Sequence, residues 1–426
     1  MKRALVSLAA FLLLAGLGTL ALLVRADATA PPSHASTTAA VAKLHLEELI
    51  PGMDYAMWYQ QHTGFAPDAA HFGAYAITPM TDTLFIGHST GWPADKDGAL
   101  LSSFDGITIT AIYSPTEQGI IAMTAVTDTL YIPGTDPCCP DGWELGNVYV
   151  YTPPGPVVKH RNLPNVYHTW AVWFDEVSRT IYAVVGAYRG YIHDCANKTC
   201  TGAVYRSTDG CNSWSLVADR DDSVGAYRTY DMVGLHNKLY IYWNDAYSAP
   251  GAVDPTPCGL AESSDGGATW QRLAVPATAC RVRLAVFQDR LLALALDQRS
   301  LIAVDSAWQI QTHLLPDFKI PGSGATNGDP HLVFNYLASD RAGYLYAITD
   351  DGRVVRSRDL VAWETVAVTD RALVAIAYWP ARNWIVVADR GADARLWKID
   401  LNAKLYLPLM PNVGFCRAVR IRYTPC

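Results

Sequence analysis

"AESSDGGATW", residues 261–270, is a short polar turn that runs into a tryptophan, and "YRSTDGCNSW", residues 205–214, is a near copy of it. Weaker versions stand at Ser103-Phe104-Asp105-Gly106 and at Ser357-Arg358-Asp359 with Trp363. Upstream of each turn lies a recurring phrase: a small apolar strand, a tight turn and a second apolar strand. It reads "AYAITPMTDTLFIGHS" at 74–89, "IIAMTAVTDTLYIPGTD" at 120–136, "WAVWFDEVSRTIYAVVG" at 170–186 and "YDMVGLHNKLYIYWND" at 230–245. Three more copies begin at Arg283, Phe334 and Leu373. Anchored on Phe85, Tyr131, Tyr182, Tyr240, Leu292, Tyr346 and Ile385, the copies are 39 to 58 residues apart. In the best-preserved copies two further strands follow, such as "GAVYRS" and "SWSLVA", and the quoted turn joins them. Four short strands at such a period are the signature of propeller blades. The expectation is an all-β, seven-bladed β-propeller of four-stranded antiparallel blades, with no helix-period segment in the body. An eighth blade forms if residues 51–72 pair with "FCRAVRIRY" at 415–423.

The turn has a local physical logic. Asp accepts hydrogen bonds from backbone N–H groups in its own turn, Gly supplies a positive φ, and the Ser or Thr hydroxyl ties the ends. The Trp then covers the seam between neighbouring sheets. The full pattern is met by Ser207, Asp209, Gly210, Ser213 and Trp214, and by Ser263, Asp265, Gly266, Thr269 and Trp270; Asp359 and Trp363 keep part of it. It resembles the Asp-box, or BNR repeat, of sialidase-like β-propellers. That resemblance implies the fold and a structural role for these turns on the face away from the binding surface. It stops short of sialidase activity. Those enzymes carry three arginines that clamp a carboxylate, a tyrosine paired with a glutamate, and an Arg-Ile-Pro signature. No Arg-Ile-Pro occurs here, and of the seven Glu only Glu144 falls on the opposite face. Arg228, Arg283 and Arg371 are a triad by blade position alone.

Composition sets the class. Half of the 426 residues are hydrophobic and 17% charged, with 13 Trp and 23 Tyr, as expected of aromatic-faced strands. The net charge is -7 with no run of Lys or Arg, which argues against nucleic acid as a partner. Met1-Lys2-Arg3, an apolar run from Ala4 to Val24 and small residues after it read as a signal peptide or an uncleaved membrane anchor over 1–25. Residues 26–43 read as a flexible Ala/Thr/Ser/Pro linker and 44–426 as a single propeller domain. The body is therefore expected outside the cytoplasm, secreted or anchored, and monomeric. All nine cysteines follow the leader. Spacing suggests Cys195 with Cys200, Cys258 with Cys280, Cys416 with Cys426, and a vicinal pair at Cys138-Cys139, leaving Cys211 over.

In a propeller the starts of innermost strands and the ends of the next strands share one face, called the top. Basic groups recur at the starts: His168, Arg228, Arg281 or Arg283, His331 and Arg371, with Tyr230 two residues beyond Arg228. Acidic and polar groups recur at the ends: His88, Asp136, Asp245, Asp297, Asp350 and Asp389. Such a ring serves either blade-to-blade ion pairing or a ligand. Long insertions at 133–147, 187–202 and 245–260 join the same face, where Trp143, Tyr188, Tyr191 and Tyr247 are placed to stack on flat or ring-shaped ligands. "DRDDS" at 219–223 and "TDDG" at 349–352 offer oxygens of the kind Ca²⁺ takes, but without the spacing of a Ca²⁺ loop; solvated turns and no cofactor are expected. The function expected is binding of a glycan or an extracellular protein on the top face. The alternative is a carbohydrate-active enzyme, either an exo-sialidase-like glycoside hydrolase or a polysaccharide lyase drawing on His168, Tyr230, Arg228 and His331.

Overall fold

The computed structural model describes residues 44–68, 72–89, 98–115, 117–134, 147–161, 163, 166–188, 200–218, 229–243, 257–279, 282–321 and 335–402. The predicted leader (1–25) and linker (26–43) lie outside the described residues, as does "FCRAVRIRY". Among the described residues no helix is long and apolar enough to cross a membrane.

The described chain opens with β1 (Glu47–Glu48) and a helix, α1 (Tyr55–Thr63). Six antiparallel blades follow in sequence order. Blade one is β2 (Gly73–Met80), β3 (Thr83–Ser89), β4 (Leu100–Phe104) and β5 (Ile109–Tyr113). Blade two is β6 (Thr124–Val126), β7 (Thr129–Pro133), β8 (Asn147–Tyr151) and β9 (Val157–Arg161). Blade three is β10 (Val166–Asp175), β11 (Thr180–Tyr188), β12 (Cys200–Ser207) and β13 (Ser215–Ala218). Blade four is β14 (Met232–Leu235), β15 (Lys238–Trp243), β16 (Pro257–Ser263) and β17 (Gln271–Arg272), with β18 (Thr278–Ala279) also paired to β16. Blade five is β19 (Ala285–Phe287), β20 (Arg290–Leu294), β21 (Ser300–Val304) and β22 (Ile310–Leu314). Blade six is β23 (Leu337–Ser339), β24 (Leu345–Ile348), β25 (Arg353–Ser357) and β26 (Glu364–Val368). Blade seven is β27 (Leu373–Trp379), β28 (Trp384–Asp389), β29 (Leu396–Asp400) and, returning from the start of the chain, β1.

Local chemistry explains the pattern. The first two strands of a blade are near-continuous apolar runs because neighbouring blades cover both of their faces; β28 and β24 are buried almost throughout. In blades one, two, four and five the turn between them is a two-residue hairpin, and in blades three, six and seven it has four or five residues. His236-Asn237 and Gln288-Asp289 have φ of 52° and 59° and of 49° and 56°, the positive pairs that match the twist of the flanking strands. The outermost strands face water and are polar or half exposed, as in β22.

The ring closes with seven blades. Glu47 pairs with Lys398 and Glu48 with Trp397, so the first strand completes the last sheet. Ion pairs Glu47–Lys398 (3.3 Å) and Glu48–Arg395 and the bond from Leu49 N to Leu396 O (2.8 Å) fasten it. Residues 51–68 form no strand of an eighth blade; they hold α1, which the sequence reading did not expect. Asp54 caps it by accepting from Met57 N, and Gly64 in the left-handed region ends it, with φ 77°. Tyr55 and Tyr59, one turn apart, are its buried face.

The quoted turns form as their residues require. Asp209 Oδ1 accepts from Ser207 Oγ (2.8 Å) and Ser213 N (2.9 Å), its Oδ2 accepts from Ser213 Oγ (2.5 Å), and Ser207 Oγ accepts from Cys211 N (3.0 Å). Asp265 repeats this with Ser263 and Thr269, and Trp270 Nε1 donates to Gly267 O. Asp359 keeps the Ser357 bond and takes Val361 N and Ala362 N; Trp363 packs edge-on to Phe318 at 5.5 Å. Bonds from Ser213 and from Thr269 hold the carboxyls of Asp209 and Asp265 down at about 2. Gly210 and Gly266 both have positive φ, and Trp214 packs against the blade-three core. All three turns join the third and fourth strands of a blade, so they share the face opposite the ends of β3, β7 and β28.

Candidate functional site

Up-and-down strand order places four kinds of strand end on the top face: first-strand starts, second-strand ends, third-strand starts and fourth-strand ends. Helix α1 lies there too, since it connects the end of β1 to the start of β2.

On the axis stands Arg283, just before β19 of blade five. Its Nη1 donates to Asp231 Oδ1 of blade four at 2.7 Å, and its Nη2 to Trp170 O of blade three (3.0 Å) and Ile121 O leading into blade two (3.4 Å). Asp231 Oδ2 also accepts from Leu284 N at 2.7 Å. One guanidinium therefore ties four blades across the channel. Burial raises the carboxyl of Asp231 and Arg283 opposes that rise. The inner strands around it enclose a cavity of about 190 Å³ lined by Thr78, Thr124, Trp173, Asn335 and this pair.

His168 and Tyr230 meet through one ring. His168, at the start of β10, stacks on Trp170 at 4.9 Å, and Trp170 lies 5.3 Å from Tyr230; all three are buried. Arg228, Arg281 and His331 lie outside the described residues, as do Asp136, Trp143, Tyr191 and Asp245. Tyr188 ends β11, opposite Cys200.

Blades seven and one form a second polar group. Arg371 Nη1 bonds Asp393 Oδ1 at 2.7 Å, and its Nε lies 3.7 Å from Asp389 Oδ2. Asp389 is fully buried, and that burial pushes its pKa up to about 6. His88, also fully buried, bonds Tyr55 Oη through Nδ1 and Ser102 Oγ through Nε2, both at 2.7 Å. Burial drops its pKa to about 3, so it stays neutral.

Asp297 and Asp350 stand apart from these clusters. Asp297 organises its own turn, accepting from Arg299 N (2.8 Å) and Ser300 Oγ (3.0 Å). Asp350 is exposed and its N–H donates to Lys319 O. Next to it Asp351 pairs with Arg353, which also bonds Asp317, so "TDDG" is an ion-paired turn. Among the described residues no group of three His, Cys, Asp or Glu is placed to hold a metal ion. Cys258 pairs in register with Thr278, two residues before Cys280; Cys280, Cys195, Cys416 and Cys426 lie outside the described residues. Cys211 is buried and forms no disulfide.

The expected ring of opposed charges thus resolves into an axial pair, an aromatic stack and a seam cluster. What sequence reasoning missed is α1 with Tyr55 and Tyr59, although "DYAMWYQQHTG", residues 54–64, carries both an Asp cap and a terminal Gly.

Fold and site together define a seven-bladed β-propeller with a polar top face. No protein family matches the chain, and no curated protein does. Solved structures do. Virginiamycin B lyase from Staphylococcus aureus, as a catalytically inactive variant with quinupristin, superposes with a TM-score of 0.54 at 14% identity, over 84% of this chain and 100% of that one. A streptogramin B lyase gives 0.53 at 11% identity, over 84% and 97%. At such identities the likeness is one of fold.

Proposed function

We propose that the protein is an extracytoplasmic β-propeller that binds a glycan or an extracellular protein on its top face. The observation that carries this reading is the state of the candidate catalytic groups among the described residues. Arg283 is held by three acceptors, and Arg371 is shared between two carboxylates. Guanidinium groups keep their protons, so held in this way they fix the shape and charge of the top face. The top-face loop positions of blades two to four, rich in Tyr, Trp and Pro, fit recognition by stacking.

A second reading rests on His168 and Tyr230 sharing Trp170, since a lyase needs a base and an acid close together. The virginiamycin B lyase of like fold, solved with quinupristin, makes that compound a natural probe for it.

One experiment separates them. The body from residue 44 is incubated with sialosides, uronic polysaccharides, neutral glycans and quinupristin, and both retention and product are measured. Binding predicts retention on one class without turnover, weakened at least tenfold by Asp350→Ala or Arg371→Ala and unchanged by Asp305→Ala on the opposite face. Product release that vanishes in His168→Ala would overturn it in favour of the lyase.

A further inference from the structure

At the seam where blade seven meets blade one, a carboxylate lies sealed from water beneath α1. Asp389 ends β28, its Oδ1 accepting from Arg395 N at 2.5 Å and its Oδ2 from Trp397 Nε1 at 3.0 Å. These bonds shape the 390–395 turn, and that same turn fastens the seam. Gly391 N donates to Phe72 O at 2.9 Å, and Arg390 bridges Gly73 at the start of β2. On the other side Tyr55 of α1 sits in the field of Asp389 and bonds His88, while Tyr59 Oη donates to Gly98 O.

Charge compensation at this spot is thin. The charged and titratable groups that act on Asp389 are Arg371 and Asp393 from its own blade and Tyr55 from α1. Arg395 is paired with Glu48, and Arg371 lies closer to Asp393 than to Asp389. Burial makes this carboxylate costly to ionise, and the shared Arg371 at 3.7 Å with the bonds from Arg395 N and Trp397 Nε1 offsets only part of that cost.

We propose that α1 and the 390–395 turn form a latch on the ring seam that tightens in acid, with Asp389 as its proton-binding group. Seated, α1 keeps water away and Asp389 holds its proton. Lifted, α1 admits water and Asp389 ionises. Burial sets the midpoint at about 6, with the bonds from Arg395 N and Trp397 and the charge of Arg371 pulling it down. His88, near 3, and Tyr55, pushed well up by burial, remain neutral, so neither titrates in the same range. A pKa raised on folding stabilises the seated state below the unfolded carboxyl value, and the advantage is lost as pH rises through 6. A groove of about 510 Å³ has Gly52–Ala56 as one wall and residues 392–395 as the other, so its width follows the latch.

Hydrogen exchange by mass spectrometry on the full chain tests this, with rates corrected for intrinsic chemistry. Peptides over 54–64 and 390–397 are expected to open about tenfold less at pH 5 than at pH 7.5, while β20 and β21 stay unchanged. Arg371→Gln removes the cation and moves the midpoint to higher pH; Asp389→Asn flattens the dependence. Should Asp389→Asn fail to fold, Arg371→Gln decides alone. Equal opening at both pH values, or an unmoved midpoint in Arg371→Gln, would overturn the latch.

Discussion

Arg283 shows how much one side chain contributes here. Its guanidinium neutralises Asp231 and satisfies carbonyls from two further blades, so losing it leaves a buried carboxylate uncompensated. Arg283→Met is expected to cost about 3–5 kcal/mol in denaturant unfolding, and the added change Asp231→Asn to recover much of it. Equal costs for the single and double variants would refute the pairing. Cys211 makes a second residue-scale prediction. Burial pushes its thiol up to about 12, so a thiol reagent is expected to leave it unmodified until the chain unfolds. Asp209 and Asp265 could be read from sequence because every partner lies within four residues. Arg283 could be placed at the top face but not paired, because its partners are 52 to 162 residues away.

Among the elements, β1 and α1 have effects out of proportion to their length. Two residues of strand complete blade seven, and Leu49 just after them is buried. Truncation to begin at Met53 would uncover β29 and is expected to lower the melting temperature sharply, with the loss traced to blade seven by exchange. For α1, Tyr59→Ala removes a fully buried ring packed on Phe72 and should cost about 3–5 kcal/mol. Repeated blades were legible because each copy restates the same apolar phrase. The helix was not, because nine residues that bury only two tyrosines have a weak apolar period. How the ring closes was not legible either, since a two-residue strand carries no pattern of its own.

For the whole molecule, buried and exposed carboxyls set opposite pH trends. The turn aspartates near 2 stabilise above the ordinary carboxyl value and lose that contribution as pH falls toward 2. Asp389, near 6, stabilises in acid and loses its contribution as pH rises through 6. Stability should therefore peak at about pH 4–5 rather than at neutrality, and a thermal melt across pH 3–8 checks this. A peak at pH 7 or above would speak against the buried state of Asp389.

Ring closure underlies all of this, because it alone brings Asp389, His88 and the start of blade one together. The direct measurement is a cross-link: Glu47→Cys with Lys398→Cys, oxidised and digested, with the linked peptides sought by mass spectrometry. The account predicts an intramolecular disulfide joining positions 47 and 398 in the monomer. Both thiols alkylated and unlinked, or linked only between chains, would contradict it.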